Sequence, residues 1–320
     1  MGYITKYGTI WGQIPVTTGR VFWVAPSATY TLEGRSYSAS DDNDGLSPER
    51  AFRTVDYAVG QCTANVNDVI VMLPGAHSGS ATVTADIAGI TITGIPGQGV
   101  RDGLRTSGGS VKNRTSITTT ETAGMIFTVT AVDVEISWLH LIPITAGSGV
   151  SISTAALRTF VHNCTFALGS TANTATMGVT LPVGTGATGN IGTTIRNCYF
   201  NADGAVGPGV RAAQTTAGLK IESSTFELTG IAAWAKAIQT TLLSNGTIVR
   251  DCDFLHPTLT TTVITAGIDT TGATADGSTQ VYRCYFAEGI DAIVATATGD
   301  VSLAESYMAG ATGGVLRTSA

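Results

Sequence analysis

Charge is the first scarcity in this chain: Asp, Glu, Lys and Arg make up only 12% of its 320 residues, about half the usual share. The balance is acidic, with a net charge of −6, and no basic run interrupts the sequence. The electrostatic footprint of a nucleic-acid binder is therefore missing. Proline is scarce at 9 residues, so the 39 glycines do not belong to a proline-rich disordered chain. No stretch approaches the length of apolar chain that a membrane-spanning helix needs. The opening MGYITKYGTIWGQIPV has no continuous apolar core, so a secretory leader is not expected. The five cysteines (Cys62, Cys164, Cys198, Cys252, Cys284) are odd in number, widely spaced and without a Cys-x-x-Cys pair. They read as reduced thiols rather than as a disulfide framework or a metal site. No heptad pattern suggests a coiled coil.

What is present is a repeated phrase. Its strong copies are Val161-His-Asn-Cys164-Thr-Phe166, Ile195-Arg-Asn-Cys198-Tyr-Phe200, Ile221-Glu-Ser-Ser224-Thr-Phe226, Val249-Arg-Asp-Cys252-Asp-Phe254 and Val281-Tyr-Arg-Cys284-Tyr-Phe286. Weaker copies stand at Ile136–Leu141 and Leu303–Met308. Positions four and six share the two-residue period of a strand face. Position one is apolar but out of phase with them, which requires a bend between. The residues there include Asn163, Asn197 and Asp251, which tolerate left-handed backbone. Each copy is thus predicted to be a strand, a sharp polar bend and a second short strand. Recurrence at irregular intervals, in a chain rich in Thr, Val, Ser and Gly, describes coils of variable loop length stacked at roughly 4.8 Å each: a right-handed, single-stranded parallel β-helix. Cys164, Cys198, Cys252 and Cys284 are expected to point inward as small packing residues beside a ladder of Phe166, Phe200, Phe226, Phe254 and Phe286.

A second stretch adds to this reading. Residues 21–75 run VFWVAP…SDDNDGLSPERAFRTVDYAVGQC…NDVIVMLPGAH. This resembles the N-terminal cap of the right-handed β-helix proteins of the pectate-lyase-like superfamily, with Asn43, Asp44, Gly45, Ser47, Pro48, Ala51, Phe52, Thr54, Asp68, Val69, Ile70, Val71, Pro74 and Gly75 at the matching positions. Thr54 to Cys62 should form a short capping helix, with Thr54 as N-cap and Val55, Ala58, Val59 and Cys62 on one face. The chain divides into an N-terminal arm (residues 1–20), a strand, loop and capping helix (21–67) and the β-helix proper (68–320).

Chemistry is thinly supplied. No Asp or Glu occurs between Ile136 and Ala202, whereas glycoside hydrolysis needs two carboxylates on one site. Arg250, Asp251, Asp253 and His256 form the densest cluster, read as a bend with solvent-facing neighbours. Glu288 with Asp291 has no basic partner nearby in sequence, and Glu222 and Glu227 read as solubilising charges. The Asp41–Gly45 loop lacks the downstream Glu of a calcium loop and reads as cap architecture. His77, His140, His162 and His256 are scattered over different coils. No catalytic residue, metal site or cofactor is expected. The resemblance extends to phage virion β-helices, which implies a homotrimeric capsid decoration (cement) protein bound to a major capsid protein or another virion protein. Such a protein is made in the host cytoplasm without a leader and has no nucleic-acid or membrane partner. The alternative is a tailspike or tail-fibre adhesin that binds or cleaves host glycans. The candidate interface is the arm's aromatic and aliphatic set, Tyr3, Ile4, Tyr7, Ile10, Trp11 and Ile14, residue types enriched in interface cores.

Overall fold

The repeated phrase is a two-strand corner. In all seven copies the third residue has a positive φ: Trp138 58°, Asn163 53°, Asn197 51°, Ser223 49°, Asp251 55°, Arg283 47° and Glu305 52°. One left-handed residue turns the chain from one strand into the next without a loop. The bends stack, because each bend N–H donates to the second-position carbonyl of the following coil, as in Asn163 to Arg196 (3.1 Å), Asn197 to Glu222 (3.0 Å) and Asp251 to Tyr282 (3.0 Å). That carbonyl also accepts from the fourth-position side chain of its own coil. Cys198 Sγ reaches the Arg196 carbonyl at 3.4 Å, Cys252 Sγ that of Arg250 at 3.2 Å, and Ser224 Oγ that of Glu222 at 2.9 Å. Cysteine and serine alternate at position four because both are small donors that satisfy the same oxygen.

The computed structural model describes residues 17–32, 34–79, 82–95, 115–119, 126–143, 147–169, 176–182, 190–203, 206–213, 216–229, 233–241, 244–256, 264–270, 279–294, 301–308 and 314–316. Three long sheets organise them. The first runs from Val21–Val24 through Val69–Met72, Glu135–Ser137, Phe160–His162 and further coils to Val301–Ala304. The second runs from Gly75–Gly79 through Thr165–Leu168 and Tyr199–Ala202 to Ser306–Met308. There an antiparallel strand, Gly314–Leu316, closes its far edge. The third runs from Val83–Ala85 through Ser148–Ile152, Met177–Leu181, Val210–Ala212, Trp234–Thr240 and Ile264–Asp269 to Asp291–Val294. The chain visits the three sheets in turn, and successive visits pair in parallel, which makes the molecule a parallel β-helix.

The interior is filled by in-register ladders. Phe166, Phe200, Phe226, Phe254 and Phe286 stack with ring centroids 4.6 to 5.1 Å apart and planes within 7° of parallel, each fully buried. The facing third sheet makes room with glycine. A Cβ on Gly149 would sit 2.7 Å from the Phe166 ring, and one on Gly178 would sit 2.6 Å from Phe200 and 2.4 Å from the Gly209 carbonyl oxygen.

The N-terminal end is plugged. Helix α1 (Val55–Gln61) has Thr54 as its N-cap, accepting from the Tyr57 N–H, and buries Val55, Ala58 and Val59. With Phe52, these residues join the β-helix core, covering apolar surface that an open end would leave to water. The strand Val21–Val24 lies outside residues 68–320 yet pairs with Val69–Met72, and so supplies the first rung of the first sheet. On that sheet's other face Trp23, Val69 and Val71 pack against Tyr30 of the hairpin Thr29–Leu32/Arg35–Ser38 in a small second core.

Ser223 carries its left-handed φ of 49° without the Asn or Asp side chain that eases this conformation. Ser223→Asn is expected to raise the unfolding free energy by about 0.5–1 kcal/mol in urea melts. A loss of stability would contradict the bend geometry.

Candidate functional site

The groups singled out in the sequence do not converge. Asp251 is a bend residue whose carboxylate forms a two-point pair with Arg283 of the next coil, at 2.7 and 2.8 Å. Arg250 turns instead to Glu222 at 2.9 Å, and His256 Nε2 donates to the Glu288 carbonyl. Glu227 accepts from the Tyr199 hydroxyl. Asp291 is exposed on a third-sheet strand. In the Asp41–Gly45 loop the Asp41 carboxylate accepts from the backbone N–H of Arg53 (2.9 Å) and Thr54 (3.0 Å) and from the Thr54 hydroxyl (2.9 Å). Asn43 donates to the Ala51 carbonyl at 2.9 Å, and Asp44 pairs with Arg50 at 3.2 Å. The loop's polar groups thus hold the cap together. Tyr3, Ile4, Tyr7, Ile10, Trp11 and Ile14 lie outside the described residues.

Three of the five cysteines are chemically quiet. Burial pushes the Cys164 and Cys252 thiols well above the ordinary range and the half-buried Cys62 thiol up to about 12, so none of these three is a thiolate at neutral pH. Glu135 and His162, on adjacent strands of the first sheet, pair at 2.8 Å with Phe160 stacked on the imidazole at 4.2 Å. His77 is buried, and a carbonyl can only accept, so its Nε2 donates to Leu73 O at 2.8 Å. Burial holds its imidazole down at about 4. An unfolded histidine titrates near 6.5. The neutral-state stability is therefore complete above that pH and is lost as pH falls toward 4, about 3 kcal/mol in all. Denaturant melts at pH 7 and 4.5 should show this slope in the parent and a flatter one in His77→Gln. Equal slopes would contradict it.

The row of polar groups that the sequence did not reveal is on the outer face of the third sheet. Thr84, Thr128, Ser151, Thr180, Arg211, Gln239 and Asp269 occupy one register column on successive coils. Val210, Ala212, Ile238 and Ile268 beside them face the core, so alternation turns Arg211, Gln239 and Asp269 outward. The Asp269 side chain is 3% exposed and pairs with Lys236 of the neighbouring strand. Arg211 Nε is buried and has no hydrogen-bond partner among the described residues. A guanidinium fork, a carboxamide and a lysine-paired carboxylate thus follow one another along the helix axis. Of these, the partly exposed Arg211 and Gln239 suit recognition of hydroxyls or a carboxylate, whereas Asp269 is buried against Lys236. The row holds a single carboxylate, where glycoside hydrolysis uses two. No local motif announces it, because its members lie a full coil apart. Only the repeat interval, extended to the third sheet, could have aligned Arg211 with Gln239 and Asp269.

No protein-family model matches the chain, and no curated protein sequence does either. Solved structures do resemble it. A pectin methylesterase from Erwinia chrysanthemi superposes with a TM-score of 0.56 at 11% identity, covering 93% of this chain and 91% of its own. An alginate lyase from a Paenibacillus species gives 0.55 at 16% identity, covering 79% and 92%. A rhamnogalacturonan lyase gives 0.55 at 13% identity, covering 89% and 73%. At these identities the likeness is one of fold: this chain has the parallel β-helix on which those enzymes are built.

Proposed function

We propose that the chain is a non-enzymatic virion structural protein, a homotrimeric phage capsid decoration protein that uses its β-helix as a rigid knob and its N-terminal arm as the docking segment. The observation that carries this reading is where the charges go. Asp133 forms a two-point pair with Arg158 (both 2.6 Å), Glu135 pairs with His162, Glu222 with Arg250, and Asp251 with Arg283. In every case the partners sit on neighbouring coils, so charge in a low-charge chain clamps the solenoid along its axis. The buried phenylalanine stack acts in the same direction, as do the contacts of Cys198 Sγ with the Val161 carbonyl (3.7 Å) and of Cys252 Sγ with the Ile221 carbonyl (3.6 Å) of the preceding coil. The arm contributes Tyr3, Tyr7 and Trp11, residue types enriched in the cores of protein interfaces. Deleting residues 1–20 should abolish binding to particles while leaving the far-ultraviolet circular dichroism of the β-helix unchanged, at a lower Tm because Arg20 no longer pairs with Asp68. Full occupancy by the deleted protein would refute the docking role, and a stable monomer in sedimentation would refute the trimer.

A second reading is favoured by the Arg211–Gln239–Asp269 row: an adhesin that binds, or cleaves, a surface glycan along the third sheet. The resembling structures include proteins described as acting on pectin, alginate and rhamnogalacturonan, which supports testing acidic polysaccharides first. Retention on an acidic-glycan array that is lost in Arg211→Ala would establish this reading. Release of oligosaccharides would add cleavage.

A further inference from the structure

The corner where the third sheet returns to the first carries a polar seam inside the β-helix. At Asn190–Ile191 the carboxamide is satisfied by protein: Asn190 Nδ2 donates to the carbonyls of Ala156 (2.6 Å) and Ser153 (3.3 Å), and its Oδ1 accepts from Thr193, while the buried Ser153 hydroxyl beside it has no partner among the described residues. Asn190 and Thr193 are buried, at 1% and 0% exposure. One coil on, the register places Thr216 over Asn190, and the pairing of Thr194 with Lys220 places Leu219 over Thr193. A hydroxyl on a shorter side chain stands where a carboxamide stood, and its hydroxyl neighbour has become apolar. Here the hydroxyls of Thr216, Thr240, Thr247 and Thr270 are buried without a hydrogen-bond partner among the described residues, with the residues 0%, 1%, 0% and 2% exposed. Thr240 ends one third-sheet strand, Thr270 follows the end of the next in register with it, Thr247 opens the first-sheet strand after Thr240, and Thr216 lies one coil earlier, so the four lie at one corner over three successive coils. Four orphaned hydroxyls at one corner are far from the norm, since buried polar side chains nearly always find a partner in protein or ordered water.

We infer that this corner is a built solvent site, in which buried water stands where the Asn190 carboxamide stands one coil earlier and bridges the hydroxyls of Thr216, Thr240, Thr247 and Thr270. A water with several polar partners fits the usual pattern of internal solvent, whereas an empty cavity would be lined with apolar groups. The seam makes the rod's interior part phenylalanine stack and part hydrogen-bonded corner, and it gives threonine a role at a core position where valine would fill the same volume.

The test uses the full-length protein. A crystal structure at a resolution that shows ordered solvent should place water within hydrogen-bond distance of at least two of the four hydroxyls. Oxygen-17 relaxation dispersion should count long-lived waters that fall in number in Thr216→Asn, which copies Asn190 in register, while its Tm is unchanged or raised. Thr240→Val should lower Tm by about 2–4 °C. A dry corner with the hydroxyls rotated onto backbone carbonyls, an unchanged water count in Thr216→Asn, or a raised Tm in Thr240→Val would each overturn the inference.

Discussion

Phe200→Ala is expected to lower the unfolding free energy by about 3–5 kcal/mol, the range for deleting a fully buried aromatic side chain. Phe200 is stacked on both sides, 4.6 Å from Phe166 and 4.7 Å from Phe226, so its removal forfeits two ring contacts as well as transfer free energy. The cavity cannot collapse easily. Its floor is the Gly178 backbone, held in register between Gly149 and Gly209 by the third sheet, and its walls are neighbouring rings fixed on paired strands. Phe200→Leu, which keeps most of the volume, should cost less than half as much. Urea melts of the three proteins give the ordering directly. A loss below about 1 kcal/mol for the alanine variant, a value typical of surface changes, would mean the ladder is not packed as described.

The second large effect is expected at Asp68, where the cap meets the first coil. Its carboxylate is fully buried and accepts from the backbone N–H of Arg20 (2.6 Å) and Thr63 (2.7 Å) and from the Arg20 guanidinium (3.1 Å). The same guanidinium donates to the Gln61 carbonyl and lies over the Phe22 ring at 4.8 Å. One carboxylate thus ties together the end of the arm, the end of α1 and the start of strand Val69–Met72. Burial pushes the Asp68 carboxyl up, but the hydrogen bonds from Thr63 and Arg20 more than offset it, and the group ionises below the ordinary carboxylate range. Asp68→Ala leaves two buried N–H groups unpaired, while half-exposed Arg20 can turn to water. The expected loss is about 2–4 kcal/mol. Asp68→Asn, which keeps an acceptor, should lose less. The ionised carboxylate's contribution is complete above the unfolded value near 3.9 and disappears as pH falls through the lower folded value. Acid melts below pH 4 should therefore converge for parent and Asp68→Asn. A persistent gap there would contradict the carboxylate's role.

The sequence made the corner between the first and second sheets legible, because both strands and the bend fall within six contiguous residues such as Val161–Phe166. The left-handed residue could be named at Asn163, Asn197 and Asp251. At Trp138, Arg283 and Glu305 only alignment to the other copies betrayed it, since those residue types have no preference for that backbone. The capping helix was legible from Thr54 and the spacing of Val55, Ala58 and Val59. The third sheet was not, because its strands follow the phrase at variable distance and contain small residues, as in Ser148–Ile152 and Met177–Leu181. Nothing in the sequence assigns Gly149, Gly178 and Gly209 a role; the phenylalanine rings opposite them supply it. For the same reason Arg211, Gln239 and Asp269 stood apart in the sequence and come together only through register. Arg250, Asp251, Asp253 and His256, adjacent in sequence, instead disperse: Arg250, Asp251 and His256 are held by Glu222, Arg283 and the Glu288 carbonyl.

The proposed role is tested most directly by quantitative mass spectrometry of phage particles purified from cells expressing the chain in its native setting, with the major capsid protein as internal standard. A decoration protein should be present at a fixed ratio to capsid protein, in multiples of three per lattice position, and residues 1–20 should be protected from proteolysis on the particle. Absence of the chain from purified particles, or its presence only at the few copies of a tail fibre, would contradict the capsid-decoration account.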